Sequence, residues 1–171
     1  MGPGKMKGGG ISYSKLVEKI VNTAGVVGAF LLLIITIFTF YEVIMRYIFK
    51  APTTWSIDYS IYLNIWGTFM GAAFTLKQGA HISVDIIIKK FSARIRNIIE
   101  IIIYILILIF CIILTLRGFV SCLHAYLSKE ITISFTRTPF YIPFLSIPVG
   151  GSLLILEIIR QIILKIRPER F

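Results

Sequence analysis

Acidic side chains are scarce in this sequence. Eight Asp and Glu face eighteen Lys and Arg over 171 residues, a net charge of +10. Cysteine and histidine are rarer, two of each. Cys111 and Cys122 fall eleven positions apart on one predicted helix. At about 1.5 Å of rise per residue they are too distant to form a disulfide. No Cys-x-x-Cys pair and no metal-ligand spacing is present. His81 and His124 lie in different connections, neither inside an apolar run, which excludes one haem iron held between them. No nucleophile–base constellation and no glycine-rich phosphate loop following a strand is found, so the expectation is a protein that is not an enzyme. The basic residues flank apolar runs and form no separate patch. They read as topology determinants and not as a nucleic-acid surface.

What the sequence has in quantity is long stretches of Ile, Leu, Val and Phe. Hydrophobic residues make up 57% of the chain, and mean hydropathy is +0.87. The runs are continuous, without the alternation over about ten residues that a membrane-spanning strand shows. In hydrocarbon each backbone group has to be satisfied within its own segment, and a helix does this. The fold class expected is an all-α integral membrane protein. It has four transmembrane helices and a short basic amphipathic helix lying at the membrane surface between the second and third.

The opening MGPGKMKGGG is glycine-rich and basic. Residues 1–15 are expected to be a flexible tail, and 16–171 a single four-helix membrane domain. The first apolar run is too long for a cleavable signal peptide and no small-residue cleavage site follows it. Met6 breaks the myristoylation pattern. Spans are expected at about 23–49, 55–76, 98–120 and 142–164. Pro52 ends the first helical run, and the residue before a proline is biased to extended backbone. Trp55 suits an interfacial anchor. Asp58 is placed in the first turn of the second span, where the helix dipole favours negative charge. Over 85–97, Ile87, Phe91 and Ile95 line one face while Lys89, Lys90, Arg94 and Arg96 crowd the rest. That pattern fits a helix lying in the interface, the alternative being an extension of the third helix. A polar and aromatic loop is expected over 121–141. Pro148, with Gly150 and Gly151, predicts a kink or a close helix approach in the fourth span.

Lys and Arg are distributed unequally between the two sides. Thirteen fall in the N-terminal tail, the 77–97 connection and the C-terminal end, and five fall on the other side. The positive-inside rule then places both termini of this multi-pass protein in the cytoplasm. Counting depth puts Glu42, Arg46 and Asp58 at the outer boundary and Glu100 and Glu157 at the inner one. No carboxylate falls at the midplane, where an ion-coupled pump needs one. Glu42 and Arg46 are four apart with the acid first, the favourable order for a helical pair. These two and Asp58 are expected to form a polar cluster holding the first hairpin. Glu157 and Arg160, three apart, sit near the end of the fourth span. Gly67 and Gly71 match the small-xxx-small pattern, with Ala72 and Ala73 beside them, and Asn64 can hydrogen-bond between helices.

The fragments between Arg46 and Asp85 carry a resemblance. They are Arg46–Tyr47, Pro52 and Trp55, the acid-bearing start of the second span, the small-residue stretch from Trp66 to Ala73, and the GAHISVD turn with His81 and Asp85. Ile142–Pro143 and Ile147–Pro148–Val149–Gly150 extend it into the fourth span. In this order, over about residues 15–165, the chain resembles the small membrane subunit of tripartite ATP-independent periplasmic (TRAP) transporters, the DctQ type. Asp58 stands where that family often has Glu, which keeps the charge and shortens its reach. The resemblance implies an accessory scaffold beside a large elevator subunit, with membrane lipid around both. The large subunit would carry the substrate and sodium sites, leaving no cofactor on this chain. A periplasmic substrate-binding protein would dock and deliver an organic acid. Two other readings stand beside it. A self-sufficient four-helix transporter working as a homodimer would need a midplane carboxylate. A membrane anchor of a redox complex would need histidines within the spans.

Overall fold

The computed structural model describes residues 9–78, 93–133 and 136–166. Four long helices dominate: α1 Gly9–Tyr47, α2 Thr54–Lys77, α3 Ala93–Leu127 and α4 Ser146–Ile166. A single helical turn, Tyr141–Phe144, precedes α4. The described parts of α1, α3 and α4 with its leading turn are long and apolar enough to cross a membrane, over Tyr13–Tyr47, Ile98–Leu127 and Tyr141–Lys165. With 24 residues α2 is also long enough. It is less apolar, because Asp58, Asn64 and several hydroxyl residues interrupt it.

Several boundaries differ from expectation, each for a local reason. The backbone is already helical at Gly9, so residues 9–15 continue α1 and are not tail. At 39 residues α1 is about 58 Å long, well beyond the roughly 30 Å of a bilayer core. No proline interrupts it before Pro52, and the amphipathic lead-in is collinear with the apolar run. Likewise α3 runs to Leu127 and not to 120, absorbing the first part of the expected loop. Gly118 alone does not stop it, and the next proline is Pro139. Of the surface helix expected over 85–97, residues 85–92 lie outside the described residues. Residues 93–97, with Arg94 and Arg96, are the start of α3 and not a separate element. His81, Asp85, Lys89 and Lys90 also lie outside the described residues. Asp58 falls just beyond the first turn of α2, because the helix begins at Thr54, one residue earlier than expected.

Both α1 and α3 close on a lysine in the left-handed region, Lys50 with φ 52° and Lys129 with φ 51°. The reversal lets the Ala51 N–H reach the Met45 carbonyl at 3.0 Å and the Glu130 N–H reach the Ala125 carbonyl at 3.2 Å. These are the carbonyls that a helix end leaves unsatisfied. Pro148 lacks the N–H that would bond the Phe144 carbonyl, and the helical run is interrupted at Leu145. At the same interruption Ser146 Oγ donates to the Pro143 carbonyl at 2.6 Å.

In space α1 packs along α2, α2 on α4, and α4 on α3, with one end of α1 also touching α4. Adjacent glycines of α4 face different neighbours. A Cβ on Gly150 would lie 2.5 Å from the Phe69 Cβ of α2, and one on Gly151 would collide with Thr115 of α3. Lipid tails are as apolar as leucine, so burial alone does not drive such contacts, and close backbone approach contributes much of the attraction. The apolar core sits toward the end that holds the start of α1 and the end of α4, here termed the terminal end. There Val17, Val21 and Ala73 pack with Leu153 and Leu156, while Leu76, Cys111 and Ile158 pack with Tyr104 and Ile162. Cys111 and Cys122 are both free thiols.

Candidate functional site

Polar side chains gather in two bands, one at each end of the helices. At the terminal end Glu157 is wholly buried and Arg160 nearly so. Three-residue spacing puts them on one face of α4, and Arg160 donates to both carboxylate oxygens, Nε to Oε2 at 2.9 Å and Nη2 to Oε1 at 2.7 Å. Gln161 adds its amide to Oε1 at 3.0 Å and reaches the Leu76 carbonyl of α2 at 3.5 Å. The Tyr104 hydroxyl of α3 donates to Gln161 Oε1 at 3.3 Å. Glu100 of α3 and Lys165 of α4 form a further ion pair. On the α1 side, Lys77 donates to Glu18 at 2.9 Å and to Asn22 at 2.7 Å. All four helices are therefore tied by polar bonds at one level. Both oxygens of Glu157 are occupied by donors, so this carboxylate acts as a clamp within protein.

At the other end, the loop end, Glu42 is the hub. Its Oε1 accepts from Arg46 Nε at 3.1 Å and Nη2 at 2.7 Å. Its Oε2 accepts from the Thr53 N–H at 3.0 Å and from the Thr53 hydroxyl. Thr53 immediately precedes α2, with extended backbone at φ −102° and ψ 115°, and its side chain does not cap its own helix. A carboxylate from α1 thus takes the capping position and lies where the α2 dipole favours negative charge. Ser56 Oγ donates to the Phe38 carbonyl of α1 at 3.1 Å, a second tie across the same hairpin. Trp55 packs its ring among Phe38, Tyr41 and Tyr59, with centroids 5.7, 5.9 and 6.4 Å away.

Of the expected cluster of Glu42, Arg46 and Asp58, the structure brings the first two together. Asp58 is engaged elsewhere: Thr136 Oγ1 donates to it at 3.0 Å. Thr136 belongs to the connection between α3 and α4, where Ile131 and Pro139 form an antiparallel bridge and the Thr132 N–H reaches the Thr138 carbonyl at 3.0 Å. The Tyr62 hydroxyl donates to Thr132 at 3.1 Å, and the Trp66 indole donates to the Ile142 carbonyl at 3.2 Å. So α2 holds this connection with Asp58, Tyr62 and Trp66, one helical face at four-residue spacing. Sequence reasoning missed Thr53, Thr132, Thr136 and Gln161. Only Thr53 carried a signal, as a capping-type residue directly before a helix.

The small-residue seam is used within the chain, on one side only. A Cβ on Gly28 of α1 would lie 3.0 Å from the Gly67 carbonyl oxygen and 3.1 Å from the Gly71 nitrogen. Gly28 is the tight partner that the sequence reading did not single out. A Cβ on Gly71 itself would meet nothing within 4 Å. Ala73 is fully buried, whereas Ala72 is half-buried. Asn64 makes no interhelical bond among the described residues, and its Oδ1 accepts from Thr68 of the same helix at 3.2 Å.

Comparison with known proteins places these elements. Residues 35–167 match the family described as tripartite ATP-independent periplasmic transporters, DctQ component. The chain is 28% identical over 159 residues to the C4-dicarboxylate TRAP transporter small permease protein DctQ of Vibrio cholerae, covering 79% of this chain and 68% of that protein. It is 25% identical over 152 residues to the isethionate TRAP transporter permease protein DctMQ of Oleidesulfovibrio alaskensis, 88% of this chain but only 24% of that protein. A putative TRAP transporter small permease protein of Haemophilus influenzae is 30% identical over 81 residues, about half of each chain. With helices linked at both ends by polar contacts, and with the family match running from the middle of α1 past the end of α4, this multi-pass membrane chain belongs to the DctQ family of TRAP transporters, as a small permease subunit and not an enzyme.

Proposed function

We propose that this chain is the static scaffold of its transporter. A larger permease subunit carries the substrate and the coupling ion, sodium, and a periplasmic binding protein delivers the substrate to the pair. The substrate class is a small organic acid. Two relatives are named for the transport of C4-dicarboxylate and of isethionate, both small organic anions. In this reading α2 is the fourth span, shielded by α1 and α4, and both termini face the cytoplasm on the thirteen-to-five division of basic residues.

The observation that carries the reading is the placement of charge. Residues 24–41, 59–76, 101–116 and 141–156 contain no Asp, Glu, Lys or Arg. The acids inside the helices lie beyond those stretches, and Glu42 and Glu157 spend their oxygens on fixed internal donors. An ion-coupled carrier uses ionisable groups within the membrane to bind and release its ion. Groups committed to neighbouring helices serve to hold geometry.

The test is reconstitution. The chain purified with its native partner should drive accumulation of a C4-dicarboxylate or a related organic acid in proteoliposomes when the binding protein and a sodium gradient are supplied. The chain alone should not. Substrate accumulation by the chain alone would overturn the scaffold reading.

A further inference from the structure

Along the outside of the α1–α2 hairpin runs an open groove of about 300 Å³, lined among others by Thr39, Glu42, Ser56, Ser60 and Asn64. Its deep end is satisfied, since Glu42 and Ser56 are buried and bonded to Thr53, Arg46 and Phe38. Its mouth is not. Thr23, Thr36, Thr75 and Thr115 each return a hydroxyl to the carbonyl four residues earlier. Thr39 and Ser60 make no such bond, and the Asn64 amide nitrogen has no partner among the described residues. Asn64 is exposed and stands next to the midpoint of the 24-residue α2. Below it on the same helical face follow exposed Thr68, Gly71 with open space at its Cβ, and exposed Thr75.

Hydrocarbon cannot accept a hydrogen bond from an amide at that depth, and lipid headgroups lie at the bilayer surface. Three unmatched polar groups converge on one groove, and the helix face beneath it carries no bulky side chain at Gly71. Another transmembrane helix would match both features. We infer that the Thr39–Ser60–Asn64 groove and the α2 face below it receive a membrane-spanning helix of the larger permease polypeptide, one that presents a hydrogen-bond acceptor to Asn64. The inference rests on the proposed function and assigns the docking face. The occupant is the larger chain and not a second copy, because the Oleidesulfovibrio permease carries a region similar to this chain as about a quarter of its length.

The test uses the full-length chain in its native membrane, with Ser60 replaced by a photocrosslinking residue. Leu33 replaced in the same way is the control, since helical spacing puts it on the opposite face of α1 from groove residue Ile35. Irradiation should join Ser60 to the larger permease, with the adduct peptide mapping by mass spectrometry to one of its membrane-spanning segments. Adding Asn64→Leu should lower adduct yield about threefold, the effect of losing one average interhelical hydrogen bond. If the permease co-purifies but Ser60 captures only lipid, or captures nothing, the docking face is wrong and the function stands. An adduct of twice the chain's mass means a second copy fills the groove and also overturns the inference. If no larger permease co-purifies at all, the proposed function fails and the inference fails with it.

Discussion

The two polar ends of this subunit hold the helices differently. At the terminal end the bonds cross between helices. Lys77 ties α2 to α1, Gln161 ties α4 to α2 and is met by Tyr104 of α3, and Glu100 pairs with Lys165. At the loop end the key bonds are local to one hairpin. Glu42, in the penultimate turn of α1, binds Thr53 at the entry to α2, only eleven positions later in the chain. The terminal end sets the arrangement of the whole group. The loop end sets the angle of one corner and, through Asp58 and Tyr62, the position of the α3–α4 connection. Burial differs in the same direction, since the Arg160 side chain is 9% exposed and the Arg46 side chain 48%.

That contrast predicts a graded series of substitutions. The largest effect should come from Glu157→Ala, which leaves the Arg160 guanidinium buried without its partner, at a cost of about 3–5 kcal/mol. Thermal unfolding in detergent should show it as a large drop in midpoint or a loss of folded protein. Glu157→Leu combined with Arg160→Met should recover most of the loss, because no charge is then stranded. A double variant no better than Glu157→Ala would show that the pair does more than neutralise itself.

Next is Gly28→Leu, which forces the α1 and α2 backbones apart where a Cβ would already be 3.0 Å from a carbonyl oxygen. Gly71→Leu should leave the isolated subunit folded, since its Cβ would meet open space. Comparing the two by size-exclusion profile and melting temperature separates the seam inside the chain from the face outside it.

At the loop end Glu42→Ala should cost more than Arg46→Ala, although the two are partners. Removing Glu42 strands the Thr53 N–H and hydroxyl together with Arg46, about 1–3 kcal/mol. Removing Arg46, half-exposed and able to extend toward the interface, should cost roughly 0–1 kcal/mol. Equal losses would mean that the ion pair, and not the clasp on α2, carries the corner. The smallest effect is expected at Lys50→Gly and Lys129→Gly. These relieve a left-handed residue worth roughly 1–2 kcal/mol but add freedom to the unfolded chain. The net should lie within about 1 kcal/mol on the stabilising side.

Much of this contrast could be read from the sequence, and what could be read was local. Charge-free runs located the helices, and the spacings of Glu42 to Arg46 and of Glu157 to Arg160 placed each pair on one helical face. Pro52 marked the end of the first helical run. What stayed hidden depends on which helices become neighbours. Nothing in sequence links Asp58 to Thr136, Lys77 to Glu18, or Gly28 to Gly67, because each contact is set by packing of segments far apart in the chain. The extension of α3 to Leu127 was missed because Ser121, His124 and Tyr126 look polar enough for a loop, yet none of them breaks a helix. The family resemblance reached further than any single motif. It rested on the order of weak signals, and the match over residues 35–167 contains every one of those fragments but not residues 15–34.

The central claim is that this subunit holds still while its partner moves. Spin labels at Thr36→Cys on α1 and Ile113→Cys on α3, with Cys111 and Cys122 replaced by serine, report the width of the subunit within the assembled transporter. The account predicts one distance distribution, unchanged between sodium-free and sodium-plus-substrate conditions. A second population, or a shift approaching one helical turn of roughly 5 Å, would contradict it.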